Sequence, residues 1–264
     1  MHDDAHHTHT HDELLLVAKR LGVDAAAAMV ASLGVSPFIT IVDRSIIENA
    51  SGARQLTTGL KELSADFARR PLQFLRRREF RLVFGLYAAT YASANAIDTL
   101  CDVTDTSSQM PKFVGTTAVN MTLCIAKDRA FTQMFGVIAP AAFPLASIGL
   151  FAVRDALTVA ASFNAPRVVA QELRDRAQLE PSRAATVAQL LCPAAVQFIS
   201  TPLHLLGLDL YNHRVAMARQ RINFVQREYF KSAVARIGRI GPAFGIGGVG
   251  NSLCRDRLRA ALHV

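Results

Sequence analysis

The sequence predicts an all-α membrane protein with about six transmembrane helices arranged as three pseudo-repeated helix pairs. Three observations carry that expectation. Windows of 14 to 24 residues hold no charged side chain. Arginine-rich segments separate the windows. The windows also end in recurring patterns. Over 264 residues the chain is 51% hydrophobic and 19% charged, with a mean hydropathy of +0.23. A soluble helical domain of this length would show polar residues every turn or two on its exposed faces. A β-barrel would show short segments of alternating polarity, and these windows are continuously apolar and rich in Ala and Leu.

The chain opens with a stretch, residues 1–12, expected to be a disordered tail. His2, His6, His7, His9 and His11 either form a solvated run or offer imidazoles to a transition metal. The first apolar window, Ala25 to Val42, has 18 uncharged residues, roughly 27 Å as a helix, which is enough to cross a bilayer core. Pro37 should kink it. The stretch from Ser45 to Arg81 contains Leu56, Leu60, Leu63 and Phe67 at helical spacing, an amphipathic pattern suited to a membrane surface. The second window runs from Leu82 to Ile97. The third, Phe113 to Ala126, is only 14 residues and spans only if its helix continues past Lys127, Asp128 and Arg129. The fourth runs from Ala130 past Arg154 and Asp155 to Phe163 and is interrupted by Pro140 and Pro144. The fifth, Ala184 to Leu208, contains Pro193 and Pro202. The sixth begins near Gly241 and ends at Arg255.

The odd windows share an ending in which Pro37, Asn120 and Pro202 precede Asp43, Asp128 and Asp209. The even windows share an Asp-x-Leu ending at Asp98, Asp155 and Asp256. The expected organisation is therefore a tail at 1–12 and repeats at 13–110, 111–180 and 181–264, the second with a short connection. Charge asymmetry points to a topology. The joins between windows one and two, three and four, and five and six carry 18 Lys and Arg, against 7 in residues 1–24 and the other two joins. Basic loops mark one side of the membrane, and both termini fall on the other. The net charge of +8 is then explained by membrane flanks and not by nucleic acid. Arg236 and Arg239 either bind lipid phosphate or follow this bias.

Three helix pairs, Pro37 and Pro202 in odd windows, the amphipathic segment and the side assigned to the termini together resemble the mitochondrial carrier family, over roughly residues 24–260. The likeness is to a divergent member. The acid and base that follow the family's proline are replaced by Ile39 and Val42, by Thr122 and Ile125, and by His204 and Gly207. The resemblance implies six helices around a cavity, a mitochondrial membrane, inner rather than outer, and alternating-access transport of a small anionic metabolite. The alternative function is a non-transporting scaffold, an insertion factor or a subunit of a membrane complex. Membrane lipid and a small anionic solute are the expected partners.

Ionisable residues inside a span cost about 2.5–3.5 kcal/mol on insertion scales and usually meet a cavity or a partner. Arg154 and Asp155 are therefore the candidate substrate-binding residues, unless the helix ends beside them. Asp43, Arg44, Lys127, Asp128, Arg129 and Asp209 form either a gate of ion pairs or caps at headgroup level. Gly245, Gly247, Gly248 and Gly250, with Pro37 and Pro202, are assigned to helix packing. Cys101, Cys124, Cys192 and Cys254 form no CxxC pair and read as small buried hydrophobes. No catalytic constellation, cofactor motif or metal-ligand spacing is visible within the apolar body, so an enzyme is not expected.

Overall fold

The computed structural model describes residues 3–137, 142–163 and 165–263, with the side chains of residues 3–12, Phe163 and Phe244 outside the description. Among the described residues there are helices and no strands. In order they are α1 (Asp3–Ala50), α2 (Leu56–Arg69), α3 (Pro71–Leu75), α4 (Arg78–Val103), α5 (Gln109–Phe135), α6 (Leu145–Phe163), α7 (Ala165–Ala177), α8 (Pro181–Asn212), α9 (Ala218–Gly238), α10 (Ile240–Pro242), a π-helical stretch (Ala243–Val249) and α11 (Gly250–Leu262).

Among the described residues, three stretches are long and apolar enough to cross a membrane: Glu13–Ala50 in α1, Leu145–Ala177 over α6 and α7, and Pro181–Asn212, which is α8. The all-helical membrane architecture matches the expectation, and three of the six expected spans are found at membrane length. The second, third and sixth windows fall in α4, α5 and the segment ending in α11. The third window does continue past Lys127, Asp128 and Arg129, because α5 runs on to Phe135. Lys127 and Asp128 are accommodated by burial and pairing, where a headgroup boundary had been expected, while Arg129 is exposed. Pro140 lies outside the described residues, while Pro144 stands just before α6.

The helices fall into two compact units. The first comprises Met1–Ser36, Phe84–Asn120 and Gly245–Val264; the second comprises Pro37–Val83 and Met121–Phe244. Neither follows the divisions 13–110, 111–180 and 181–264, and a threefold repeat gains no support. The matched endings sit in unlike surroundings. Asp98 is paired to Lys112, Asp155 is buried beside Arg154, and Asp256 is exposed.

In the first unit, a polar knot joins the outer part of α1 to α4 and α11. Asp24 is 1% exposed. It accepts from Thr99, from Arg255 Nε at 2.7 Å and from Arg259 Nη2 at 3.0 Å. Asn95 and Asn251 exchange side-chain hydrogen bonds at 3.0 and 2.9 Å. Asp98 takes Lys112 of α5 at 2.5 Å and Arg255 at 3.4 Å. Tyr91 lies so close to Gly247 that a Cβ there would run into its hydroxyl, whereas Gly245 and Gly248 face open space.

In the second unit, α8 packs against α6, α7 and α9. Gly207 lets α6 approach. A Cβ there would stand 2.5 Å from Phe151 Cε1, and Ser147 donates to the Gly207 carbonyl at 2.9 Å. Pro37 and Pro202 lie inside α1 and α8, as expected from their windows. The amphipathic pattern of Leu56, Leu60, Leu63 and Phe67 becomes α2, with Leu56 and Leu63 buried.

Candidate functional site

The second unit buries a chain of charges that runs through four helices. It starts at Arg239, just after α9, whose Nη1 meets Asp43 Oδ1 of α1 at 2.6 Å. The other oxygen of Asp43 receives Lys127 Nζ of α5. Lys127 also meets Asp128 Oδ1 at 2.7 Å. Asp128 Oδ2 accepts from Arg154 Nη1 of α6 at 2.5 Å, and Arg154 closes on Asp155 Oδ1 at 2.6 Å. Asp43, Lys127, Asp128 and Arg154 are all buried, Arg154 to 2% exposure. Charges placed this deep are costly unless they are paired and hydrogen-bonded.

Arg154 is the hub. It lies in the middle of α6, so the helix does not end beside it. Its Nη1 also contacts His204 Nδ1 of α8 at 2.8 Å, and its Nη2 reaches Cys124 Sγ at 3.7 Å. A guanidinium only donates, so His204 accepts at Nδ1 and is the neutral tautomer with its proton on Nε2. The Phe151 ring lies under the guanidinium, 5.1 Å from its carbon, and the Phe131 ring lies 5.3 Å from Lys127 Nζ. In this conformation the site is occluded. Asp155 holds Arg154 through Oδ1, while its Oδ2 is buried without a hydrogen-bond partner.

The structure brings some of the gate candidates together and separates others. Asp43, Lys127 and Asp128 come together with the substrate candidates Arg154 and Asp155 in one chain, not a ring. Three other candidates lie elsewhere. Arg44 bonds Glu48 at 2.7 Å and Glu79 at 2.6 Å, and it lines a separate cavity of about 390 Å³ with Arg54, Glu62, Asp66, Arg69 and Arg77. Arg129 points to the exposed face of α5. Asp209 takes Arg221 at 2.6 Å and His213 at 2.9 Å. Burial explains the sorting: α5 turns Lys127 and Asp128 inward, and Arg129, one residue on, falls about 100° around the helix.

Sequence reasoning missed His204 and Gln197, and in the first unit Asp24, Asn95, Thr99, Asn251, Arg255 and Arg259. His204 and Gln197 lie within the fifth apolar window, where an isolated polar residue is the available signal. Arg236 and Arg239, read from sequence as lipid or flank residues, are drawn inward, Arg239 onto Asp43 and Arg236 onto Gln197 at 3.0 Å. All four cysteines are free thiols. Among the described residues no group of acidic, His or Cys side chains is placed to hold a metal ion.

Membrane-length helices carrying a buried charge network define a helical membrane protein, and the family match places it in the transport class. The chain belongs to the probable citrulline exporter family, whose model matches residues 27–259. No curated protein matches the chain. The family match overturns the resemblance to mitochondrial carriers. Apolar helices, prolines within them and a basic side are demands that any helical membrane protein meets, and the acid–base signature specific to carriers is absent. The expectation of a mitochondrial membrane rested on the same resemblance.

Proposed function

We propose that this protein exports a small, electrically neutral amino-acid-like solute, citrulline in kind, by alternating exposure of the buried charge chain around Arg154. The family's description supports export of citrulline. The observation that carries the mechanism is the chain Asp43–Lys127–Asp128–Arg154–Asp155, which lies between the membrane-length helices α1, α6 and α8 and α5. Citrulline is a zwitterion with an uncharged ureido side chain, so it presents one ammonium and one carboxylate. This revises the solute class expected from the sequence, an anion, to a zwitterion.

The ammonium of such a solute can enter the network at a resident carboxylate. The unpartnered Oδ2 of Asp155 is an acceptor for an ammonium, and the ammonium leaves Oδ1 to Arg154. A zwitterion adds one charge of each sign, so the buried network stays compensated as it opens, which lowers the cost of opening it. A ligand shifts the conformational equilibrium only by its differential affinity for the two states, and this compensation supplies such a difference. Citrulline efflux from proteoliposomes tests the reading. Wild-type protein should release preloaded citrulline well above protein-free vesicles, and Asp155→Asn should abolish most of that flux. Equal release from protein-containing and empty vesicles would sink the proposal.

A further inference from the structure

A buried cation is normally answered by a carboxylate. Around the charge chain of the second unit, three carboxylates (Asp43, Asp128 and Asp155) face four cations (Lys127, Arg154, Arg239 and Arg236). The surplus falls on Arg236. It is 3% exposed, and among the described residues no carboxylate lies within ion-pair distance of it. Its Nε donates to the neutral amide oxygen of Gln197 at 3.0 Å. The charged groups that act on it most strongly are two further arginines, Arg239 and Arg154.

The surroundings are also unfinished. Gln197 is held with its oxygen toward Arg236, because its Nε2 donates to the Pro193 carbonyl at 3.0 Å. One helical turn beyond Gln197 on α8, the Thr201 hydroxyl is fully buried with no hydrogen-bond partner. One turn before Arg236 on α9, the Ser232 hydroxyl is in the same condition. Residues four apart share a helix face, and α8 and α9 pack together. A guanidinium without its anion, an oriented amide and two idle hydroxyls make a built site for a carboxylate, because a guanidinium binds carboxylates in a two-pronged geometry and hydroxyls donate to the remaining lone pairs.

We infer that Arg236, with Gln197, Thr201 and Ser232, forms the subsite that takes the carboxylate of the transported solute. This rests on the export reading above and names the residues that recognise one end of the zwitterion. Gln197 matters because it is not Glu. A resident carboxylate there would satisfy Arg236 permanently and leave nothing for the solute to do.

The test uses the full-length protein in detergent and in proteoliposomes, with L-citrulline and L-citrulline carboxamide as probes. Wild type should be thermally stabilised by citrulline and much less by the carboxamide. Gln197→Glu should melt at or above the wild-type temperature, since it supplies the missing partner, yet lose about tenfold or more in citrulline affinity. Arg236→Gln should lose a similar factor without unfolding. If Gln197→Glu transports and binds citrulline like wild type, or if the carboxamide binds as well as citrulline, the inference is overturned. A purely structural Arg236 would give the first of those results. If wild type does not respond to citrulline at all, the export reading fails. The subsite is then judged with acetate as a bare carboxylate: stabilisation of wild type but not of Arg236→Gln upholds it, and no difference overturns it.

Discussion

At Arg154 the question is what a buried arginine does when every donor is already engaged. Removing it would leave Asp128 and Asp155 as uncompensated buried charges. Breaking such a pair by deleting one partner costs about 3–5 kcal/mol. Arg154→Ala is therefore expected to lower the melting temperature in detergent sharply. The double variant Arg154→Met/Asp155→Asn should recover part of that loss while remaining inactive in efflux. An Arg154→Ala protein as stable as wild type would contradict the pairing of Arg154 with Asp128 and Asp155. Gly207 offers a second test of packing. Gly207→Ala should cost about 1–3 kcal/mol through overlap with Phe151, and Phe151→Leu in the same chain should relieve it. Both effects are read from thermal melts. Arg154 and Asp155 were legible in the sequence, as charges flanked by apolar residues on both sides. Gly207 was not, because one glycine in an apolar window carries no sign of what it faces.

Among the elements, α9 shows how a basic helix outside the three membrane-length stretches is tied down. Asn49 near the end of α1 donates to Glu228 Oε2 at 2.5 Å, and Lys231 and Arg227 pair with the same carboxylate. Burial alone would raise the pKa of Glu228. The hydrogen bonds from Lys231, Asn49 and Arg227 outweigh it and hold the carboxyl below its ordinary value of 4.5. A folded-state pKa below the unfolded one stabilises above the unfolded value, and that contribution is lost as pH falls through the folded one. Thermal stability should consequently decline on the acid side of 4.5, and Glu228→Gln should flatten that decline. An unchanged acid limb in the variant would remove Glu228 from the account. In the first unit, α11 is held through Asp24, which receives Arg255 and Arg259 of that helix together with Thr99 of α4. Asp24→Asn should loosen α11 and speed proteolysis after Arg255, with little change in the far-UV helix signal. Helix existence was readable from the apolar windows. Helix length was not: α5 absorbs charges that, read locally, mark its end.

For the molecule as a whole, the distribution of Lys and Arg makes a topological statement that can be tested directly. The 43–81 join, around α2 and α3, carries 9 of the 18 Lys and Arg on the basic side, and the α7–α8 join belongs to the opposite set. Cysteines introduced at Arg70 and at Arg176 should react with an impermeant maleimide from opposite sides of sealed vesicles. Labelling of both from one side would overturn that assignment. What the sequence determined by itself is the solvent this chain requires. Uncharged windows are too costly to expose to water, and their continuity rather than alternation selects helices over a barrel. It also marked most of the charges that are buried, since an ionisable residue within an apolar run stands out locally. Only the tertiary structure decided which charges meet. Asp43 and Lys127 stand 84 positions apart and Gln197 and Arg236 stand 39 apart. Whether such a residue faces a partner, a lipid or a neighbouring ring depends on helix rotation and packing, which linear spacing does not record. Arg129 and Lys127, two residues apart with opposite fates, carry the same charge and differ only in the direction that α5 gives them.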